Sequence, residues 1–461
     1  MQSLIRNHLK TGLRFLWKTR TFSSINLMGL AIGIATAAMA YLFLSSQLVY
    51  DQFHQKSDRL YRITASIEFD GVTEKLGGSS YIMGEELPKQ ASAIEQSSRI
   101  KSGFGLRRVG DNFEYQNYHY ADRGLFDMLD FTFLKGHPGA FKSPNQVVVS
   151  ASFAETLPPN QELQLHFADT TILFEVVGVF KDMPTTSSLQ PEVIIPFSFW
   201  VNNVPARRTR TWFDINMNQF LLRAEGATKE QMEAQINEVL AANFDVTNNN
   251  AQLHLQPFAD MHMDPGLELG NGLLPTTNHQ ILWVVFLVGL LCLLIGCFNY
   301  SNFALGNFLS RTREVAVRKI MGANKRIIFQ QFLSESFLST MLASVVALVL
   351  IQLLLPLFSN FIHEEYSFRD LWSGRFVMGF LLTILVATLL AGTYPALVLS
   401  ARKVTLALSG KMKVGGKDFL SWTLMTTQVS LAIFLVVGML ATSRNSTIWL
   451  ILTWVTRIAI Y

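Results

Sequence analysis

Apolar residues in this 461-residue chain are gathered in long runs that carry at most one charged side chain each. An α-helix rises 1.5 Å per residue, so a run of about 20 apolar residues crosses the roughly 30 Å hydrocarbon core of a bilayer. The pattern therefore predicts an α-helical transmembrane bundle of about five spans. The predicted spans cover residues 21–45, 281–309, 328–361, 376–400 and 419–441.

The stretch between the first two spans, residues 46–280, has the charge density and turn residues of a water-soluble domain. Alternating apolar and β-branched residues predict strands there, and residues 229–242 have the pattern of an amphipathic helix. Because the strands and helices follow no regular βαβ order, we expect a large α+β domain outside the cytoplasm. The predicted strands lie near residues 59–67, 146–149, 174–179, 192–196, 218–223 and 251–256.

Composition supports a membrane protein, since 49% of residues are hydrophobic and only 16% are charged. Lys and Arg gather in residues 1–20, 310–327 and 401–418, where only Glu314 and Asp418 oppose them. This bias places the three segments in the cytoplasm, with residues 1–20 as an amphipathic helix along the membrane and residues 401–418 as a linker. Each cluster adjoins an apolar span, which favours membrane lipid over nucleic acid as its contact.

The basic segment at residues 310–327 is patterned as a short surface helix between two spans. Glu314 and Arg318 are four residues apart, in the favourable order for an ion pair, and Gly322 is placed to end the helix in a left-handed conformation. The spacing alone leaves open a solvated loop whose charges only set the topology. The apolar positions at helical spacing are Val317, Ile320 and Met321.

This segment resembles the signature of FtsX/MacB-type ABC transporter permeases, in which a motif of the form REIGIRKALGA follows the second transmembrane helix. The resemblance implies that the segment docks on an ATPase subunit. A hydrolysing ATPase would then move the spans and reshape the outer domain, a process called mechanotransmission. The matching residues, and hence the expected coupling surface, are Arg313, Glu314, Val315, Arg318, Lys319, Gly322 and Ala323.

The outer domain opens with YDQFHQKSDRLYRI, which resembles the YDxFHxxxDRIYRV motif of the long Bacteroidetes-type permeases that are separate from their ATPase. The resemblance implies a domain of MacB periplasmic-core type. In that family a second half would follow, whereas residues 442–461 do not resemble it, so we expect a chain truncated or frame-shifted after the first half. The matching residues, expected to form a structural motif, include Tyr50, Asp51, Phe53, His54, Asp58 and Arg59.

Candidate chemistry is sparse. His254, Asp260, His262 and Asp264 have types and spacings that could ligate a metal, but the phrase around them resembles the family's LQPLTDIHLHS segment, so we favour a structural role and expect no metal. The chain contains no recognisable catalytic motif and no G-x-x-x-x-G-K-[ST] phosphate loop. We therefore expect no enzymatic activity and no cofactor in this chain, with ATP and magnesium bound by the partner ATPase.

Two residues in the spans are candidates for gating. Glu335 is the charged residue of the third span, and a carboxylate in hydrocarbon is costly, although this one lies near the cytoplasmic end. Pro395 lies in the phrase AGTYPALVLSARKV, which resembles the family's SGxYPAxxLSxxKP. Because proline has no N–H, it is expected to kink the fourth span.

The resemblance implies the permease subunit of an ABC transporter in the cell (inner) membrane, with its large domain in the periplasm. Expected partners are an ATPase in trans, a second permease copy or half, membrane lipid and a periplasmic protein, with no nucleic acid. The family's roles include export of peptides, antimicrobial peptides, antibiotics or lipoproteins, and control of an envelope partner. The alternative is a membrane-anchored sensor or scaffold protein.

Overall fold

The computed structural model describes residues 20–69, 72–109, 112–137, 141–158, 162–167, 170–212, 214–244, 251–264, 267, 276–306, 315, 317–362, 366–401, 423 and 425–433. The chain divides into two compact units. Residues Met1–Ser45 and Leu282–Tyr461 form the membrane unit, and residues Ser46–Ile281 form the outer domain. The predictions for residues 1–19, 307–314, 402–422 and 434–461 lie outside the described residues.

Long helices make up the membrane unit, and strands with shorter helices make up the outer domain. In chain order they are α1 Arg20–Gln47, β1 Leu60–Phe69, β2 Val72–Leu76, α2 Tyr81–Gln90, β3 Ile94–Val109, β4 Asn112–Ala121, α3 Leu125–Met128, β5 Phe133–Gly136, β6 Gln146–Ser150, α4 Ala151–Ala154, β7 Glu162–Phe167, β8 Thr170–Phe180, β9 Val193–Pro196, α5 Phe197–Asn203, α6 Ala206–Arg210, β10 Asn218–Arg223, α7 Lys229–Asn243, β11 Gln252–Pro257, α8 His279–Gly306, α9 Lys325–Ile362 and α10 Gly374–Ala401. Short 3-10 helices cover Ser57–Arg59, Phe258–Met263 and Phe368–Trp372.

Four helices in the described part of the chain are long and apolar enough to cross a membrane. Their apolar stretches are Ser24–Gln47, His279–Leu305, Lys325–Asn360 and Gly374–Val398. In the region of the predicted fifth span, residues 425–433 are helical.

Small residues allow the helices of the membrane unit to approach closely. A Cβ at Gly33 of α1 would lie 2.8 Å from the carbonyl oxygen of Cys292 in α8, so a larger residue would force the two helices apart. Between α9 and α10 the same role falls to alanines, since Ala343, Ala347 and Ala387 are fully buried.

The outer domain is built on one mixed sheet with the strand order β11-β1-β10-β3-β4-β9-β6-β8-β5, to which β2 adds on β1 and β7 on β3 and β8. Most neighbours are antiparallel, while β4–β9 and β6–β8 are parallel. Helices α2 and α7 cover one face with Met83, Leu87 and Ile236. Alternate residues of β10 point to opposite sides, Leu221 into that cluster and Phe220 into another, so β10 is buried on both faces.

Each strand predicted from alternation is present in this sheet, and the predicted helix at residues 229–242 corresponds to α7. Thr228 caps α7 with a reciprocal capping box in which Gln231 takes part. The sequence did not predict the long β3–β4 hairpin, whose two strands pair over the register Ile100↔Ala121 to Val109↔Asn112. The expected fold class, a helical membrane bundle with an α+β outer domain, agrees with the structure.

Candidate coupling site

The end of the basic surface helix is fixed by its backbone. The helix described at residues 317–320 ends at Gly322, which has a φ of 93°. The N–H of Gly322 donates to the carbonyl oxygen of Lys319 (3.1 Å), and the N–H of Ala323 donates to that of Arg318 (2.9 Å). These two bonds satisfy carbonyl groups that a helix end leaves unpaired. The prediction that glycine ends this helix in a left-handed conformation is confirmed.

The next helix begins immediately after this turn. Asn324 accepts a hydrogen bond at Oδ1 from the N–H of Ile327 (3.0 Å), as a helix-capping asparagine does, and α9 begins at Lys325. The two helices are therefore joined by a short turn in which both ends are hydrogen-bonded. A movement of the surface helix would therefore also move the start of α9.

A row of polar side chains connects the surface helix to the body of α9. The Arg318 guanidinium donates from Nη1 to Oε1 of Gln331, and Gln331 Nε2 donates to Oε1 of Glu335 (3.1 Å). Gln331 is 6% exposed and Glu335 is 9% exposed, so both are removed from solvent. We call this row the Arg318–Gln331–Glu335 chain. The Glu335 carboxylate, a gating candidate in the sequence, is thus hydrogen-bonded towards the basic segment.

A second polar contact reaches α10. The Lys319 ammonium donates to the carbonyl oxygen of Ser400 over 2.8 Å. Ser400 lies in the last turn of α10, where carbonyl groups lack a helical N–H partner and attract a cation. Arg318 and Lys319, adjacent in one short helix, therefore contact α9 near its start and α10 at its end.

Apolar side chains divide between two faces of this helix. Val315 is buried in a small cluster with Ile328, Phe332 and Ala396. The predicted apolar positions lie on the open side instead, with exposed fractions of 56% for Val317, 60% for Ile320 and 84% for Met321. We call these three residues the open apolar face. One face of the helix packs against α9 and α10, and the other is exposed.

Of the residues predicted to form the coupling surface, Val315, Arg318, Lys319, Gly322 and Ala323 meet at this turn. Arg313 and Glu314 lie outside the described residues. Sequence reasoning missed Asn324, Gln331 and Ser400. For Gln331 a signal existed, because it precedes Glu335 by four residues and such pairs face each other on a helix.

Pro395 leaves one backbone carbonyl of α10 without its usual helical partner. In a regular helix its N–H would donate to the carbonyl oxygen of Ala391, but proline has none. Ser301 of α8 supplies the missing donor, since its Oγ lies 2.9 Å from that oxygen. Helix α10 continues past Pro395 to Ala401. The proline therefore frees a buried backbone acceptor that ties α10 to α8.

The opening motif of the outer domain joins loops that are distant in sequence. Asp51 has a φ of 59°, its N–H donates to the carbonyl oxygen of Thr186 (2.9 Å), and its Oδ1 accepts from the N–H of Ser188 (2.8 Å). Burial raises the pKa of Asp51 to about 6, although the hydrogen bond from Ser188 favours the carboxylate. Arg59 forms ion pairs with Glu95 and Glu225.

The aromatic residues of the motif contact the segment that leads to the second span. The Tyr50 ring stacks on His262 with centroids 3.5 Å apart, and Nε2 of His262 lies 2.6 Å from Oε1 of Gln47. His54 accepts at Nδ1 from the N–H of Asp130 (3.0 Å) and packs between Phe53 and Phe258. Burial lowers the pKa of both histidines to about 4, so each is neutral near pH 7. Asp58 lies exposed in the adjoining 3-10 helix.

The four residues weighed as metal ligands are not drawn together. His254 lies within hydrogen-bond distance of Ser66 and Glu233, His262 contacts Gln47, and Asp264 accepts from Gln256. Within the described ranges no group of three or more His, Cys, Asp or Glu side chains could hold a metal ion. These side chains therefore serve separate local contacts.

Comparison with known proteins agrees with this architecture. A family model described as MacB-like periplasmic core domain matches residues 23–239, and one described as FtsX-like permease C-terminal matches residues 277–404. The chain is 21% identical over 368 residues to an uncharacterized ABC transporter permease, YvrN, of Bacillus subtilis, covering 74% of this chain and 85% of that one.

Two further relatives complete the comparison. The chain is 19% identical over 361 residues to the macrolide export ATP-binding/permease protein MacB of Marinobacter nauticus, covering 74% of this chain and 52%, about half, of that protein's length. A solved domain of a permease protein from Porphyromonas gingivalis is 18% identical, with a TM-score of 0.39, and covers 44% of this chain and 92% of that one.

Together the apolar helices, the mixed-sheet domain and the two family matches define a membrane protein with an extracytoplasmic domain. The chain belongs to the FtsX/MacB-type permeases of ABC transporters.

Proposed function

We propose that this chain is the membrane subunit of an ABC transporter whose ATPase is a separate protein that docks on the basic surface helix. The observation that carries the proposal is the two-sided construction of that helix. One side is fixed to α9 and α10, while the open apolar face is exposed. Large exposed apolar side chains grouped beside basic residues are typical of a protein-docking surface.

The contacts of the helix supply a route for force. A push on the open apolar face would reach α9 through the capped turn at Gly322 and the Arg318–Gln331–Glu335 chain. It would reach α10 through the Lys319 ammonium on Ser400. Because packed interiors resist compression, the bases of the two helices would move together rather than deform locally. This is the mechanotransmission that the proposal requires, with ATP and magnesium held by the partner ATPase.

The cargo is proposed from relatives alone. The Marinobacter relative is named for macrolide export, and the wider family resemblance includes export of peptides, antibiotics or lipoproteins and control of an envelope partner. We propose a chain in the inner membrane that pairs with a second permease copy or half and acts on a molecule or protein in the periplasm through its outer domain.

The docking surface is tested by affinity capture of the chain from its native membranes, with co-purifying ATPase activity as the readout. We expect the Ile320→Asp, Met321→Asp double variant to lose tenfold or more of that activity, since a tenfold change is only about 1.4 kcal/mol of binding free energy. The matched control is Leu134→Asp in the outer domain, where the residue is likewise exposed.

Two results would contradict the proposal. In one, the unmutated chain brings down no ATPase. In the other, the double variant retains as much ATPase as the control, which would place the docking surface elsewhere on the chain.

A further inference from the structure

The outer domain contains a cavity of about 450 Å³ beside the ends of β3, β7 and β8. Its size is within the range of small-molecule pockets in proteins. The wall combines a strongly polar part with an apolar part. The lining residues that matter here are Arg107, Thr156, Val109, Leu157, Leu163 and Leu173.

Arg107 lines this cavity with a guanidinium that its neighbours only partly satisfy. The side chain is 13% exposed. Nη1 donates to Oγ1 of Thr156 (2.8 Å), and the guanidinium carbon lies 4.8 Å from the centroid of the Phe153 ring. Its Nε is buried and has no acceptor among the described residues. The ion pair to Glu114 spans 3.9 Å between Nη2 and Oε2, at the limit of such a contact.

A guanidinium presents five N–H donors and stays charged, so burying it with Nε unpaired and its carboxylate partner 3.9 Å away is costly. A carboxylate or phosphate oxygen beside Arg107 would offset that cost through a charge-assisted hydrogen bond. Arg108 and Glu162 also line the cavity and carry opposite charges. Two arginines against one glutamate give the lining a net positive charge, and Glu114, the distant partner of Arg107, is not part of the lining, so the lining favours an anion.

The apolar part of the wall defines the rest of the ligand. Leu163 belongs to the buried core, whereas Leu173 remains 45% exposed and Val109 40% exposed. An apolar body placed against these side chains would cover surface that is otherwise open to water. We propose that the cavity is a binding site for a small amphipathic anion, with its carboxylate or phosphate at Arg107 and its apolar body along Val109 and Leu173. This site and the coupling surface consist of different residues, and neither proposal depends on the other.

The site is tested by equilibrium dialysis of the full chain in lipid nanodiscs, with empty nanodiscs subtracted. The probes are octanoate, octyl phosphate and the neutral octanol, all of which also partition into lipid. We expect saturable binding of an anionic probe at least tenfold tighter than octanol. The Arg107→Gln variant should lose that preference, and the control Arg210→Gln, at an exposed arginine of α6, should keep it.

Two results with the unmodified chain would overturn the proposal. One is equal binding of octanol and the anionic probes, and the other is no saturable binding. This comparison does not depend on whether any variant folds. Undiminished anion binding by a folded Arg107→Gln variant would also overturn it, because the proposed anion is bound by the Arg107 guanidinium.

Discussion

The hydrogen bond between α8 and α10 allows a quantitative test of why Pro395 is tolerated in a membrane helix. Ser301 is 1% exposed, and its hydroxyl is the donor to the Ala391 carbonyl that Pro395 leaves without its helical N–H. Removing one partner and leaving a buried acceptor unpaired costs about 1–3 kcal/mol in soluble proteins. Hydrogen bonds between membrane helices average about 0.6 kcal/mol and reach about 1.7. We therefore expect Ser301→Ala to destabilise the membrane unit by about 1–2 kcal/mol.

A double-mutant cycle separates this effect from ordinary loss of packing. Pro395→Ala restores an N–H at the position that would donate to Ala391, so Ser301→Ala in that background should cost less than about 0.5 kcal/mol. The resulting coupling free energy between the two substitutions is about 1 kcal/mol. The measurement is reversible unfolding of the purified chain in mixed micelles by increasing the detergent SDS.

Ser344→Ala is the matched control, because the Ser344 hydroxyl is also buried but donates to the Thr340 carbonyl within α9 (2.7 Å). Its cost should be the same with Pro395 or alanine. If Ser301→Ala destabilised the chain equally in both backgrounds, the Ser301 hydroxyl would not be replacing the N–H that proline lacks, and the explanation would be wrong.

Three further predictions concern single positions. Gly322→Ala should destabilise the membrane unit by about 1 kcal/mol in the same SDS unfolding assay, because φ is 93° at this position. Gly374→Ala is the control and should be nearly neutral, since a Cβ added at either glycine would meet open space. In the folded protein the pKa of Asp51 is raised to about 6, so the protonated carboxyl is favoured and the wild type loses stability as the pH rises from 4 to 7. The thermal stability of Asp51→Asn relative to wild type should therefore increase over this pH range. A difference that does not change with pH would contradict this. Arg99→Leu should lower the free energy of unfolding of the outer domain by about 3 kcal/mol, measured by thermal unfolding. The reason is that the Arg99 guanidinium is nearly buried and donates to both carboxylate oxygens of Asp122. A decrease below about 1 kcal/mol would contradict this prediction.

Features that depend on neighbours in sequence could be predicted well. Apolar runs identified the membrane helices because crossing a bilayer depends on length and composition, whatever the partners. The end of the surface helix at Gly322 followed from the special backbone freedom of glycine. Alternation found β11 because its Leu253 and Leu255 lie two residues apart and both face a core.

The β3–β4 hairpin was missed for the opposite reason. Strand β3, IEQSSRIKSGFGLRRV, mixes charged, polar and glycine residues without alternation. Its place in the sheet is secured by pairing with β4 from Ile100 to Val109 and with β10 from Ile94 to Ile100. Such pairing is a property of the assembled sheet, which the local pattern does not contain.

The same distinction applies to the coupling site. From the sequence we could predict a basic segment between two spans, its helical pattern with an end at Gly322, and a shared face for Val317, Ile320 and Met321, although the spacing also allowed a loop. The helix itself, the exposure of that face, the burial of Val315 and the contact of Lys319 with Ser400, 81 residues away, became evident in the folded chain. Local patterns fix the backbone because helix and turn energies act over a few residues. The partner of a side chain depends on how distant helices pack, and that packing is set by many weak contacts acting together.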